Sequence, residues 1–229
     1  EDRLKVIIGG DPQIGANTKR VAYIPEKGWT LQTGLDAATN DAFNWRLTLK
    51  NAYSKHPDTS FIITAGDQIH NSDNNQQEIE YAGFLSNPYL RVLPLASTVG
   101  NHDHAGNSIN FKHHFNNPIK VTKEAGAVSS GPDYFYSRGK SLFIHLNGNN
   151  LNIKDHKNTI DEAIGAYPNN IWRIVVIHFD LYGPASHLND DTVKVLRTGL
   201  TPVFFETKID VVLQGHNHIH ARTHLITRV

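Results

Sequence analysis

The sequence predicts an α/β fold, a four-layer α-β-β-α sandwich of two mixed β-sheets packed face to face with helices outside. Two observations carry this. Short apolar, strand-like runs alternate along the chain with stretches of helical spacing. One pair of runs, 134–137 and 141–146, is separated only by Arg138-Gly139-Lys140 and reads as a hairpin, which brings antiparallel pairing into the sheets.

Taken in order, Leu4-Lys5-Val6-Ile7-Ile8 is a run bounded by Gly9-Gly10, as a strand covered on both faces requires. Residues 35–54 have helical spacing through Leu35, Ala38, Ala42, Trp45, Leu49 and Ala52, and stop before His56-Pro57. Residues 61–64 form the next strand. A helix over 76–85 follows, with Ile79, Tyr81, Ala82 and Phe84 as its apolar set. The run 92–99 is a third strand, interrupted by Pro94. Residues 104–132 are the least regular region, rich in Asn, His, Gly and Ser. Such a loop is commonly functional, and Asn107, Asn110 and His113 either shape ligand choice there or simply face water. After the hairpin come a helix over 155–166, the most apolar strand at 171–177, a short helix over 191–197 and a strand at 209–213.

Composition bounds the function. The 229 residues fit one domain, 1–229, with 39% hydrophobic and 19% charged residues. Lys+Arg and Asp+Glu both total 22, so no basic field points to specific nucleic-acid binding. No apolar stretch approaches the ~20 residues of a membrane-spanning helix. Cys and Met are absent, whereas His reaches 14, a count that suits a metal protein although most of these cannot be ligands.

Five segments then share one device: an apolar run ends and an oxygen or imidazole donor follows. They are Gly10-Asp11-Pro12-Gln13, Gly66-Asp67-Gln68, Gly100-Asn101-His102-Asp103, His178 and Gly215-His216-Asn217-His218. In open α/β sheets ligands gather at the carboxyl ends of strands, so five such ends can share one crevice. Taken singly, a polar residue after a strand is more often a cap or a turn residue. Carboxylate, amide and imidazole donors without thiolate suit Mn, Fe, Co or Zn rather than a structural zinc knuckle. A carboxylate bridging two cations holds them roughly 3.5–4 Å apart, and water between them loses its proton near neutral pH.

The ordered set resembles the calcineurin-like metallophosphoesterase superfamily, and within it the purple-acid-phosphatase-like branch. The resemblance spans residues 11–218 and implies a metallo-dependent phosphatase fold with two divalent or trivalent metal ions (Fe, Mn or Zn). It implies that Asp67 bridges the metals, that Asp11 and His218 bind the first, and that Asn101, His178 and His216 bind the second. Asn101 and His102 would contact substrate, with His102 acting at the leaving-group oxygen. His187, nine residues past His178, holds the place of a second catalytic histidine. The resemblance also implies a secreted or cell-surface protein, with a fibronectin-like β domain before the catalytic one.

Two departures from the pattern stand out. Gln13 occupies the position two residues after the first Asp, where most of the superfamily has His. His70 stands where purple acid phosphatases have the Tyr that gives them colour, so a colourless protein is expected. Either His70 or Gln13 completes the shell of the first metal. His145 and His220, in strand-like segments near the motifs, are expected to support ligands, and Arg222 to be structural.

The activity this implies is hydrolysis of phosphate esters, foremost phosphomonoesters, in a small-molecule or nucleotide substrate. Phosphodiester cleavage fits the same centre. A catalytically silent metal-binding module, or a scaffold role, would have no use for His102.

Overall fold

The computed structural model describes residues 3–107, 109–118 and 125–227. In chain order its elements are β1 (Val6–Gly9), β2 (Val21–Ile24), β3 (Gly28–Leu31), α1 (Gly34–Lys55), β4 (Phe61–Thr64), α2 (Asn74–Leu85), β5 (Leu95–Ser97), α3 (Asn101–His104) and α4 (Asn110–His114). There follow β6 (Tyr134–Arg138), β7 (Ser141–Leu146), α5 (Ile153–Ala166), β8 (Trp172–Ile177), α6 (Asp191–Glu206) and β9 (Val211–Leu213).

Alternation along the strands builds the layers. In β4, Ile62 faces α1 and α2 and packs with Ala38, Trp45, Leu49 and Phe84. Its neighbours Phe61 and Ile63 face the other way, onto Phe143 and Val176 of the second sheet. Strand β7 mirrors this: Leu142, Ile144 and Leu146 turn to the cluster that includes Ile160, Leu196 and Leu200 of α5 and α6. Phe143 turns inward and meets the Phe61 ring edge-on at 5.4 Å. Helices, sheet, sheet and helices are thus stacked as the sequence predicts.

The first sheet runs β1-β4-β5, all parallel among the described strands. The second runs β6-β7-β8-β9 and is mixed, because β6 pairs antiparallel with β7 while β7, β8 and β9 are parallel. Every parallel strand therefore points its carboxyl end toward a shared edge of its own sheet.

Local differences from expectation have visible causes. The run 92–99 yields only Leu95–Ser97 as strand, because Pro88–Arg91 forms a 3-10 turn and Pro94 lacks an N–H for the ladder. Helix α6 continues past 197 to Glu206 despite Pro202, since Val193, Leu196, Leu200 and Val203 keep one buried stripe. Strands β2 and β3 form a hairpin with no counterpart in the sequence reading. Its Val21, Tyr23, Trp29 and Leu31 all face outward and are exposed. In the region 104–132, Asn110 donates to Asn74 O (3.1 Å) and Gln77 Oε1 (3.2 Å), which ties it to α2. His113 is exposed; the Asn107 side chain and residues 119–124 lie outside the described residues.

Candidate metal centre

The donors converge at a seam. Asp11, Asp67 and Asn101 follow β1, β4 and β5 of one sheet, whereas His178, His216 and His218 follow β8 and β9 of the other. Backbone hydrogen bonds lace the turns together. Asp11 N–H donates to Gly66 O (3.2 Å), Gln13 N–H to Asp67 O (2.9 Å) and Gly215 N–H to His178 O (2.9 Å). The Asp11 carboxylate accepts the His216 N–H at 2.9 Å.

These turns are strained. Asp11, Gln13, Asp67, His216 and His218 all have φ between 40° and 72°. For residues other than glycine that conformation costs about 1–3 kcal/mol each and clusters at functional sites. Two glycines allow the close approach: a Cβ on Gly66 would lie 2.4 Å from His178 Nδ1, and one on Gly100 would lie 2.0 Å from Asp67 Oδ1.

Two groups of donors result. In the first, His178 Nε2 lies 3.3 Å from Asp67 Oδ2, 3.0 Å from Asn101 Oδ1 and 3.2 Å from His216 Nδ1. Donor atoms of Asp67, His178 and His216, all buried, lie within 4.8 Å of one another. In the second, His218 Nε2 lies 3.5 Å from Asp11 Oδ1. Gln13 Nε2 donates to Asp67 Oδ2 at 3.2 Å, so its amide joins the site from the first-strand turn.

Electrostatics show that this pocket wants a cation. His178 donates Nδ1–H to Ala65 O at 2.8 Å, which leaves the Nε2 lone pair facing an amide oxygen, a carboxylate and another imidazole. Burial alone would depress the His178 pKa, but the Asp67 charge outweighs it and the ring is raised to about 9. Burial would raise Asp67, and His178 instead holds it well below the usual carboxylate range. His216, pushed down by burial and then by His178, stays neutral. Carboxylate, amide and imidazole donors thus meet around one point, as a bound metal ion requires. The donor set fits such an ion.

His102 stands beside this group. Its Nδ1–H donates to His70 O at 2.5 Å, its backbone N–H donates to Asp67 Oδ1 at 2.9 Å, and its Nε2 lies 3.9 Å from Asp67 Oδ2. His70 stacks on the His102 ring at 4.8 Å. Its buried Nδ1 has no hydrogen-bond partner among the described residues. His187 packs its ring on His216 at 4.3 Å.

The family model for calcineurin-like phosphoesterases matches residues 4–220. The chain belongs to the calcineurin-like phosphoesterase family. A dimetal phosphatase from Danio rerio has a similar fold, with a TM-score of 0.55 and 10% identity over 94% of this chain and 82% of that one. No curated protein matches. This calcineurin-like phosphoesterase is thus a metal-dependent phosphoric ester hydrolase by family.

Some residues escaped the sequence reading. Asp103 is fully buried and accepts the N–H groups of Asp67 (2.8 Å) and Gly100 (2.9 Å), with Tyr81 O–H on its other oxygen (2.9 Å). Its place at the end of Gly100-Asn101-His102-Asp103 was the available signal. Glu80, also fully buried, accepts His70 N–H (2.9 Å) and Asn71 N–H (3.0 Å). It reads as a solvent-facing helix residue in sequence. Asn217 donates to Asp180 Oδ2 at 3.1 Å and accepts the His187 N–H at 3.2 Å. His145 bonds Thr98 Oγ1 at 2.8 Å between the sheets and stacks on Tyr134, while His220 and Arg222 are exposed.

Proposed function

We propose that this calcineurin-like phosphoesterase hydrolyses phosphomonoesters at a dinuclear centre and is acid-phosphatase-like. The supporting observation is the meeting of Asp67, Asn101, His178 and His216 donors within one buried pocket at the strand ends, with Asp11 and His218 paired beside it. Asp67 Oδ2 meets both the Gln13 amide (3.2 Å) and His178 Nε2 (3.3 Å), which supports reading it as the carboxylate shared by the two ions.

In this reading Asp11 and His218 hold one ion, and Asn101, His178 and His216 the other. Either Gln13, whose amide N–H donates to Asp67, or His70, whose buried Nδ1 has no hydrogen-bond partner among the described residues, completes the first shell. When bound, a metal pair supplies an acidified water and neutralises phosphoryl charge. The protein's own groups do the rest. Asn101 and His102 line the mouth toward the substrate, and the Nδ1–H bond to His70 O leaves His102 Nε2 as the nitrogen free for the leaving oxygen. A secreted or cell-surface location goes with this reading.

The test is hydrolysis of an aryl phosphomonoester and its diester analogue by protein loaded with Mn²⁺, with Asp67→Asn as control. A monoester preference that vanishes in Asp67→Asn, along with bound metal, supports the reading. Diester preference would reassign the substrate class, and unchanged activity in Asp67→Asn would remove the dinuclear mechanism.

A further inference from the structure

Asp190 occupies the N-cap of α6, a place where an Asp side chain ordinarily accepts an N–H from the first helical turn. Here its side chain makes no such bond. The Oδ2 atom instead lies 2.7 Å from His187 Nδ1, three residues earlier within the 3-10 turn Ser186–Asn189. A cap bond worth about 1 kcal/mol to the helix is forgone for a contact with an imidazole.

That imidazole is held from three directions. Its ring packs on His216 at 4.3 Å. Its backbone N–H donates to Asn217 Oδ1 at 3.2 Å, and Asn217 Nδ2 donates in turn to Asp180 Oδ2 at 3.1 Å, which fixes which end of the amide faces His187. Asp190 fixes the remaining freedom, rotation of the ring and the choice of tautomer. The same Oδ2 lies 3.9 Å from His216 Nε2, a buried nitrogen with no hydrogen-bond partner among the described residues.

We infer that Asp190 is a positioning residue: its carboxylate fixes His187 as the Nδ1–H tautomer against His216, so that Nε2 is the ring nitrogen left without a proton. A carboxylate behind an imidazole commonly sets both tautomer and orientation. What Nε2 does there rests on the phosphoesterase reading above; the tautomer does not.

Two measurements test it. Long-range ¹H–¹⁵N spectra of the full chain should show His187 as the Nδ1–H tautomer, and Asp190→Ala should shift it toward Nε2–H. An Nε2–H ring in the unsubstituted protein overturns the inference. In Mn²⁺-loaded protein, Asp190→Ala and His187→Ala should each lower kcat by about 10–100-fold, with unchanged metal content. Asp190→Asn, which keeps an oxygen acceptor, should recover part of the loss. The double substitution should be no slower than His187→Ala alone. Multiplying losses, or metal loss in step with rate, would show that Asp190 acts elsewhere. If the unsubstituted protein hydrolyses no phosphate ester, the functional reading fails while the tautomer still decides the role of Asp190.

Discussion

Asp103 Oδ2 accepts the backbone N–H of Asp67 at 2.8 Å, so the last residue of one motif builds the turn that carries the central carboxylate of another. The two lie 36 positions apart in sequence and on different strand ends. Burial, and next the nearby Asp67 charge, push the Asp103 carboxyl above its usual range, opposed by the Gly100 N–H and Tyr81 O–H.

Asp103→Ala removes the acceptor for the N–H groups of Asp67, Gln68 and Gly100 and for a tyrosine. Unsatisfied buried donors cost about 1–3 kcal/mol each, so a loss of roughly 3 kcal/mol is expected. At this size that lowers Tm by roughly 6–12 °C. Calorimetry of the variant decides it, and a change below 2 °C would mean that the turn holds without Asp103.

His102→Ala should keep the metal and lose about 10²–10⁴ in kcat, the range of a general acid–base group. None of the close-packed donors depends on its side chain, since the contact with Asp67 Oδ1 is made by the backbone N–H. Metal content by emission spectroscopy and steady-state rates are the two readouts. Full activity would take His102 out of the chemistry.

His145 gives a pH prediction with a definite sign. Burial lowers its pKa to about 3 in the folded chain, against about 6.5 when unfolded. The unfolded chain therefore takes up a proton first as pH falls, and stability is lost from about pH 6.5 downward toward pH 3. Between pH 7 and pH 5 the ring should account for roughly 2 kcal/mol of loss. His145→Phe, which keeps the stacking on Tyr134, should show a shallower decline in denaturant titrations at the two pH values. Parallel declines would contradict this.

Most of the strands, and the polar residues at their ends, were legible in the sequence for one reason. An apolar run covered on both faces, ending in glycine and a ligand, is a local pattern, and β4 into Gly66-Asp67 shows it in seven residues, 61–67. What stayed hidden depends on distant partners. Glu80 looks like any polar helix residue until His70 and Asn71 bring their N–H groups to it. Strand 92–99 shrank because a 3-10 turn, set by Asn87 and Pro88, leaves no local mark that outweighs Leu90, Val92 and Leu93. The β2–β3 hairpin has its apolar residues outside, so a rule that sends them to the core has no place for it.

The donors are drawn from both sheets: Asp11, Asp67 and Asn101 from one, His178, His216 and His218 from the other. An ion held there is a rivet through the seam where two layers meet. Prising the layers apart then means losing the ion, so occupancy adds RT ln(1 + [L]/Kd) to the work of opening the sandwich. Chelation would loosen the whole sandwich and not merely silence one corner of it, and resistance to heat or protease becomes a gauge of how much metal the protein carries.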